Sequence, residues 1–394
     1  MGNLSEEDLY IGREQTLVKH LILRKYLERF AHKVGSKWAC ITYIDCFAGP
    51  WNVQSSKLSD SSFSIALEEL RKARATQLKR GHVLRLRCFF LERDPGAYEQ
   101  LQKFTASISD IDVKTLNGEL EGAVGEILSF VRDGGSGSFP FVFIDPTGWT
   151  GFAMNTIEPI LKLHPVEVLI NFMTGHIRRF LDSPQKDTQD SFTALFGSET
   201  YRKGLEGLTG VDRDEEAVRL YSENVKRVGG FDFVSSAIVL HPEINRTHFH
   251  LICATRHPEG MAVFKESEKM AMQAMESARA AARQRRRIDR SANRELFSAG
   301  VMNDSDYYDS LRQRFIEIGL AKVEAELAEK GRVPHDILWQ ITTSVPMVWE
   351  SDLKDWIRDW ISAGKVRLQG LVGRQRVPQR GKNVLVILQK PIPK

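Results

Sequence analysis

Hydrophobic positions along the first two thirds of the chain alternate between two periods. Over residues 14–33 (EQTLVKHLILRKYLERFAHK), Leu17, Leu21, Tyr26, Leu27 and Phe30 fall roughly at helical spacing and Gly35 follows, which predicts an amphipathic first helix. Beyond it come short, almost wholly apolar runs: WACITYIDCF, LRLRCFFLE, IDVKTL, FPFVFIDP, VEVLINF, FVSSAIVL and HFHLICAT. Segments with helical periodicity separate most of them, among them SIALEELRKARATQL, GAYEQLQKFTASI, ELEGAVGEILSFV and TIEPILKL. A strand apolar on both sides must be covered on both faces. The alternation therefore predicts a doubly wound, mostly parallel α/β sheet over residues 10–260. From Met261 to about Ala292 the pattern is helical, first rich in Ala, Met and Glu and then in Arg, and 261–332 is expected to be a helical connector. Residues 333–394 read as helix (VPHDILWQITT), helix (ESDLKDWIRDWISAGKV) and two short strands, VRLQGLV and NVLVILQ, around GRQRVPQRGK. That is the order of a winged helix-turn-helix with a basic tip.

Composition narrows the class. Of the 394 residues 42% are hydrophobic and 27% charged, which fits a folded globular chain and excludes a disordered or collagen-like one. The start, MGNLSEEDLYIGREQ, has no apolar signal core, and no run reaches the roughly eighteen apolar residues of a membrane span. A cytoplasmic protein with no membrane partner is expected. Cys40, Cys46, Cys88 and Cys253 lie far apart without a C-x-x-C spacing, mostly inside apolar runs, and are expected to be reduced core thiols. The net charge of +4 hides an uneven distribution of arginine.

In an open α/β sheet ligands bind at the carboxyl ends of the strands, so the residues closing each strand carry the chemical information. YIDCFAGPW ends its strand with Asp45 and turns at Gly49; FFLERD closes on Glu92; LNGE places Gly118 and Glu119 after the third strand; FVFIDPTGW leaves Asp145 at the mouth of the sheet before a rigid Pro146. Each end alone is a common turn or cap. Their joint order, acid-Gly, acid, Gly-acid and Asp-Pro on successive strands, resembles the class I S-adenosylmethionine-dependent methyltransferases. Lys19, Leu23 and Tyr26 of the first helix, with YIDCFAGP, LERD, FIDPTGW, VEVLINF and HFHLICATRHPEG, further resemble the three-Cys-motif partner protein (TcmP) family over most of the chain.

The resemblance implies a bacterial protein with a methyltransferase-like Rossmann domain and a C-terminal winged helix, S-adenosylmethionine as cofactor, and a three-Cys-motif protein as a possible partner. It implies a first cofactor loop of Asp45, Phe47, Gly49 and Pro50, with Glu92 and the neighbouring Asp94 at the ribose and Glu119 facing the adenine. Asp145, Pro146, Thr147, Gly148 and Trp149 would line the methyl-transfer mouth, Asp145 orienting a nucleophilic amine. Two positions depart from the pattern: Trp51 follows Pro50 where a second Gly is usual, and Thr147 stands where enzymes that grip a flipped base place Pro or an aromatic.

The late histidines, His241, His248, His250 and His257, lack a second close pair to complete a tetrahedral set, so no metal is expected. His176, Arg178 and Arg179 follow the fifth strand as candidate substrate contacts. Two basic elements point to nucleic acid, DNA or RNA. Arg283, Arg286, Arg287 and Arg290 share one helical side, and Arg374, Arg376, Arg380 and Lys382 sit at the expected wing, in a stretch from Lys365 to Lys394 without any acid. Trp349, Trp356 and Trp360 are expected to build the small C-terminal core. Two functions follow: a methyltransferase-like protein acting on or binding nucleic acid at an exocyclic base amine, or a catalytically degenerate module of this fold that docks nucleic acid or a partner protein, for instance in phage defence.

Overall fold

The computed structural model describes residues 8–49, 53, 55, 58–291, 306–371 and 377–389. They divide into two compact units, one formed by the chain up to Val234 and from Ile238 through the long tenth helix, the other by residues 235–237 and the chain from Asp306 onward.

The larger unit carries a seven-stranded sheet in the order β3-β2-β1-β4-β5-β7-β6. Its strands are β1 (Cys40–Asp45), β2 (Arg85–Glu92), β3 (Asp112–Asn117), β4 (Ser138–Ile144), β5 (Glu167–Phe172), β6 (Phe233–Leu240) and β7 (Thr247–Thr255). β1 to β5 run parallel, and β7 lies antiparallel to β5. This is a Rossmann-like, mostly parallel α/β sheet, as the alternation of apolar runs and helices leads one to expect.

Side-chain parity divides each strand between two cores. Ile44, Phe89, Leu91, Val142, Ile144, Val168 and Ile170 join one apolar cluster with α4 (Leu120–Asp133), α5 (Met154–Leu161), α7 (Lys186–Phe196) and α9 (Gly210–Gly229). The alternate residues face the other side. There Tyr26 and Phe30 of α1 (Glu14–Gly35) pack on Phe141, Phe63 of α2 (Ser62–Lys79) packs on Phe90, and Tyr43 stacks on Phe141. Asp45 has the parity of Tyr43, and Asn171 that of Leu169. Both polar strand-end groups thus sit on the side covered by α1 and α2. All four cysteines are free and buried. Among the described residues no helix is long and apolar enough to cross a membrane.

The long helix α10 (Pro258–Ser291) packs along α1 and β7. Its arginines are committed largely to the turn between β6 and β7. Arg279, almost fully buried, donates to the His241 carbonyl (3.1 Å), Asn245 Oδ1 (2.8 Å) and Glu276 Oε1 (2.9 Å). Arg283 donates to Asn245, Arg286 pairs with Glu243 and Arg285 with Glu14. Removing one member of a buried, hydrogen-bonded charge network strands its partners, so Arg279→Ala should cost about 3 kcal/mol. A thermal melt lowered by several degrees is the expected result, and an unchanged melt would show that the turn holds itself.

The smaller unit runs α11 (Asp306–Lys330), β8 (Arg332–Pro334), α12 (His335–Thr343), α13 (Glu350–Ser362), β9 (Val366–Gln369) and β10 (Leu385–Leu388). Its three strands form an antiparallel sheet in the order β8-β10-β9. Trp339, Trp349 and Trp360 are buried, as are Leu338, Met347, Leu353 and Ile357. Trp356 is half-buried and close to Gly319 of α11. The Arg312 guanidinium lies 3.9 Å from the Trp349 ring centroid and that of Arg380 4.6 Å from Trp339.

Candidate active site at the carboxyl edge of the sheet

Register builds the centre of the site. Phe143 pairs with Leu169 and Ile144 with Ile170, so the next step along both strands brings Asp145 beside Asn171. Asn171 Nδ2 donates to Asp145 Oδ1 at 2.7 Å, and Lys19 Nζ of α1 reaches Asp145 Oδ2 at 2.5 Å. Lys19 and Asp145 keep only 14% and 13% of their side chains exposed. Asn171 is buried, and its Oδ1 has no hydrogen-bond partner. An orphaned buried carbonyl costs about 1–3 kcal/mol, so an N–H reaching it would be favoured. Lys19 and Asn171 stand in quoted motifs, but nothing in the sequence singled them out as members of the site.

Asp45 lies on the neighbouring strand, fully buried, and is committed inward. Its Oδ1 accepts the Phe47 N–H (3.1 Å) and its Oδ2 the Ser62 hydroxyl (2.6 Å) from the first turn of α2. Burial pushes its carboxyl up to about 7; the Ser62 hydrogen bond opposes this, and the nearby Asp145 charge adds to it. The loop after β1 turns over the strand ends, with Ala48 N–H bonded to the Leu91 carbonyl. The Phe47 ring lies against Gly151, whose φ of +84° makes the turn after Asp145, so the first and fourth strand-end motifs meet. Gly49 lies half-buried in that loop.

Glu92 closes β2 with its carboxylate almost buried and accepting the Asp94 N–H (2.6 Å); burial raises its pKa above the ordinary value. Asp94 itself caps α3 (Pro95–Thr105), accepting the Ala97 N–H at 2.8 Å. Glu119 is exposed at the start of α4, 3.6 Å from Arg93. Pro146 is buried, Thr147 exposed, and Gly148 opens on free space. Trp149 donates its indole N–H to Ser191 (2.9 Å) and packs on Phe192 and on Phe180 of α6 (Thr174–Phe180), which makes it an anchor for the loop.

His250 is buried and bonded to the Thr174 hydroxyl (2.8 Å), and Arg178 pairs with Asp214. Among the described residues no cluster of His, Cys, Asp or Glu has the makings of a metal site. Arg287 and Lys382 are exposed. The side chain of Arg290, and Pro50, Trp51, Arg374 and Arg376 altogether, lie outside the described residues.

No family model and no curated protein sequence matches the chain. Similar solved structures include a DUF519-family protein from Legionella pneumophila, 12% identical, covering 66% of this chain and 91% of that one with a TM-score of 0.38. A protein from Thermobifida fusca described as a methyltransferase is 11% identical and covers 62% and 83% (TM-score 0.33). Loganic acid methyltransferase with SAH is 9% identical and covers 73% and 92% (TM-score 0.31). These likenesses are too remote to transfer a function.

Proposed function

We propose that this protein is an S-adenosylmethionine-dependent methyltransferase-like protein of the three-Cys-motif partner type, acting on an exocyclic amine of a nucleic acid base. The observation that carries the reading is the row of polar groups at the carboxyl ends of four adjacent strands: Glu92 on β2, Asp45 on β1, Asp145 after β4 and Asn171 on β5. The donor set fits the cofactor. Glu92 offers a carboxylate to a ribose diol, as the acid after the second strand does in doubly wound nucleotide folds, and Asp45 sits where a cationic amino-acid head would relieve its burial. The bound cofactor would supply the electrophilic methyl group.

The chain's own residues would do the rest. Asp145 Oδ and the unpartnered Asn171 Oδ1 are two adjacent acceptors, which suits an NH2 group with two N–H donors. Holding both N–H bonds fixes the amine and leaves its lone pair free to attack, and Asp145 can take the proton released on transfer. We read the smaller unit, with helix α11 followed by β8, α12, α13, β9 and β10, as a winged helix-turn-helix.

A second reading is favoured by one observation: the chain's own Lys19 ammonium occupies Asp145 Oδ2. In that reading the unit is a catalytically degenerate module that docks nucleic acid or a three-Cys-motif protein. Titration calorimetry with S-adenosylmethionine and its demethylated product separates the two. The parent should bind both, and Glu92→Ala should weaken binding at least a hundredfold, the scale of losing charge-assisted bonds to a ribose. No heat with the parent, or equal affinity in the variant, would remove the cofactor assignment.

A further inference from the structure

Three histidines gather beside the mouth from three different elements, and the site described above uses none of them. His241 directly follows β6, His248 is the second residue of β7 and His176 stands in the first turn of α6. The His241 and His248 rings meet edge to face at 5.5 Å, and His176 lies 6.1 Å from the Trp149 ring. A Cβ on Gly175 would come 3.2 Å from the His248 carbonyl, so α6 and β7 touch at this point. Two exposed arginines flank the row. Arg246 leads into β7 and bears on His241 and His248, and Arg179 bears on His176. Among the described residues neither guanidinium has an acidic partner, whereas Arg178 next door is paired with Asp214 and Arg286 with Glu243.

His241 Nδ1 accepts the N–H groups of Glu243 (3.1 Å) and Ile244 (3.4 Å), which favours the tautomer with its proton on Nε2, a donor. His248 is pushed down to about 4, first by burial and then by His241, Arg246, His176 and Lys19 around it. The neighbours of His248 are cations or bases, and the acids closest to the row, Glu243 beside His241 and Asp214 near Arg246, are already paired with Arg286 and Arg178, so the patch keeps a positive potential.

We infer that His176, His241 and His248, with Arg179 and Arg246, form a phosphate subsite beside Asp145 that holds the backbone of a nucleic acid strand while one of its base amines reaches Asp145 and Asn171. The assignment to nucleic acid rests on the proposed function above: an amine acceptor pair next to an anion subsite matches a nucleotide within a strand, where base and phosphate belong to one unit. A phosphate entering the row would supply the acceptors that the Nε2–H and guanidinium donors lack, and would favour the protonated histidines.

The test uses short single-stranded DNA and RNA oligonucleotides with an ordinary phosphodiester backbone and the same sequences with a neutral methylphosphonate backbone, titrated by fluorescence anisotropy. The parent should prefer the phosphodiester forms. Arg179→Gln with Arg246→Gln, both exposed positions, should weaken them about tenfold, the scale of losing charge-assisted hydrogen bonds. The slope of log affinity against log salt should fall by roughly 0.7 for each phosphate no longer neutralised. His176→Gln with His248→Gln should weaken the phosphodiester forms as well, and neither pair should change methylphosphonate binding. Equal parent affinity for the two backbones, or variant curves that overlay the parent at every salt concentration, would overturn the inference. So would saturable binding of an Asp- and Glu-rich peptide that depends on the same residues while neither oligonucleotide binds. Calorimetry with S-adenosylmethionine on the same preparations keeps the readings apart. A parent that binds the phosphodiester strand through these residues but not the cofactor retains the subsite and loses the methyltransferase reading.

Discussion

Asp145→Ala is expected to lower methyl transfer by about 10²–10⁴-fold, the range over which a positioned proton acceptor contributes. It should also melt earlier than the parent. The carboxylate accepts from Asn171 and pairs with Lys19, and all three groups are shielded from water. Deleting the acid strands a nearly buried ammonium, at a cost of about 2–4 kcal/mol. The two effects separate in the double variant Lys19→Met, Asp145→Ala. With the ammonium also gone, the melt should return most of the way to the parent while transfer stays lost. The assay follows labelled methyl from S-adenosylmethionine into a mixed nucleic acid pool, normalised to folded protein. Full activity per folded molecule in the double variant would make Asp145 a strut between α1 and the sheet and favour the docking reading.

The sheet was legible because its strands are dense in β-branched and aromatic residues and mostly apolar on both faces, a pattern that leaves few alternatives once helices alternate with it. The strand-end acids were legible for the same reason: once a strand is placed, the residue that closes it is placed too. Asn171 was not, because inside VEVLINF it reads as one more strand position. Its role appears only when β4 and β5 are set in register, and registers between parallel strands joined by a helix leave no local trace. Lys19 was hidden by distance, 126 residues before the carboxylate it meets. The arginines of α10 show the converse limit. Spacing of i, i+3, i+4 and i+7 puts them on one helical side, but periodicity does not say what that side touches. Much of it grips the turn between β6 and β7. Arg246 and Arg179 offer an anion more than Arg279 or Arg283 does, although they belong to no charge run.

Asp45 is a site group whose titration should move stability strongly. Its folded pKa is raised from 3.8 to about 7, with burial as the first cause. In that interval the folded chain holds a proton that the unfolded chain has released. The stability Asp45 contributes is therefore fully present below about pH 4 and is lost as pH rises through about 7. At about 1.4 kcal/mol per pKa unit the loss approaches ~4 kcal/mol, which is an upper value because water and ligands can relax the site. Asp45→Asn keeps an oxygen for the Phe47 N–H and a polar partner for Ser62 but removes the charge. Denaturant unfolding at a series of pH values should show the variant gaining on the parent from pH 4 upward, leading by about 2–4 kcal/mol near pH 7 and holding that lead above it. Parallel curves would mean that the carboxyl ionises in the folded chain as easily as in water. Saturating S-adenosylmethionine should shrink the lead. A cationic head beside Asp45 favours the carboxylate and returns to the parent the interaction that the asparagine cannot make.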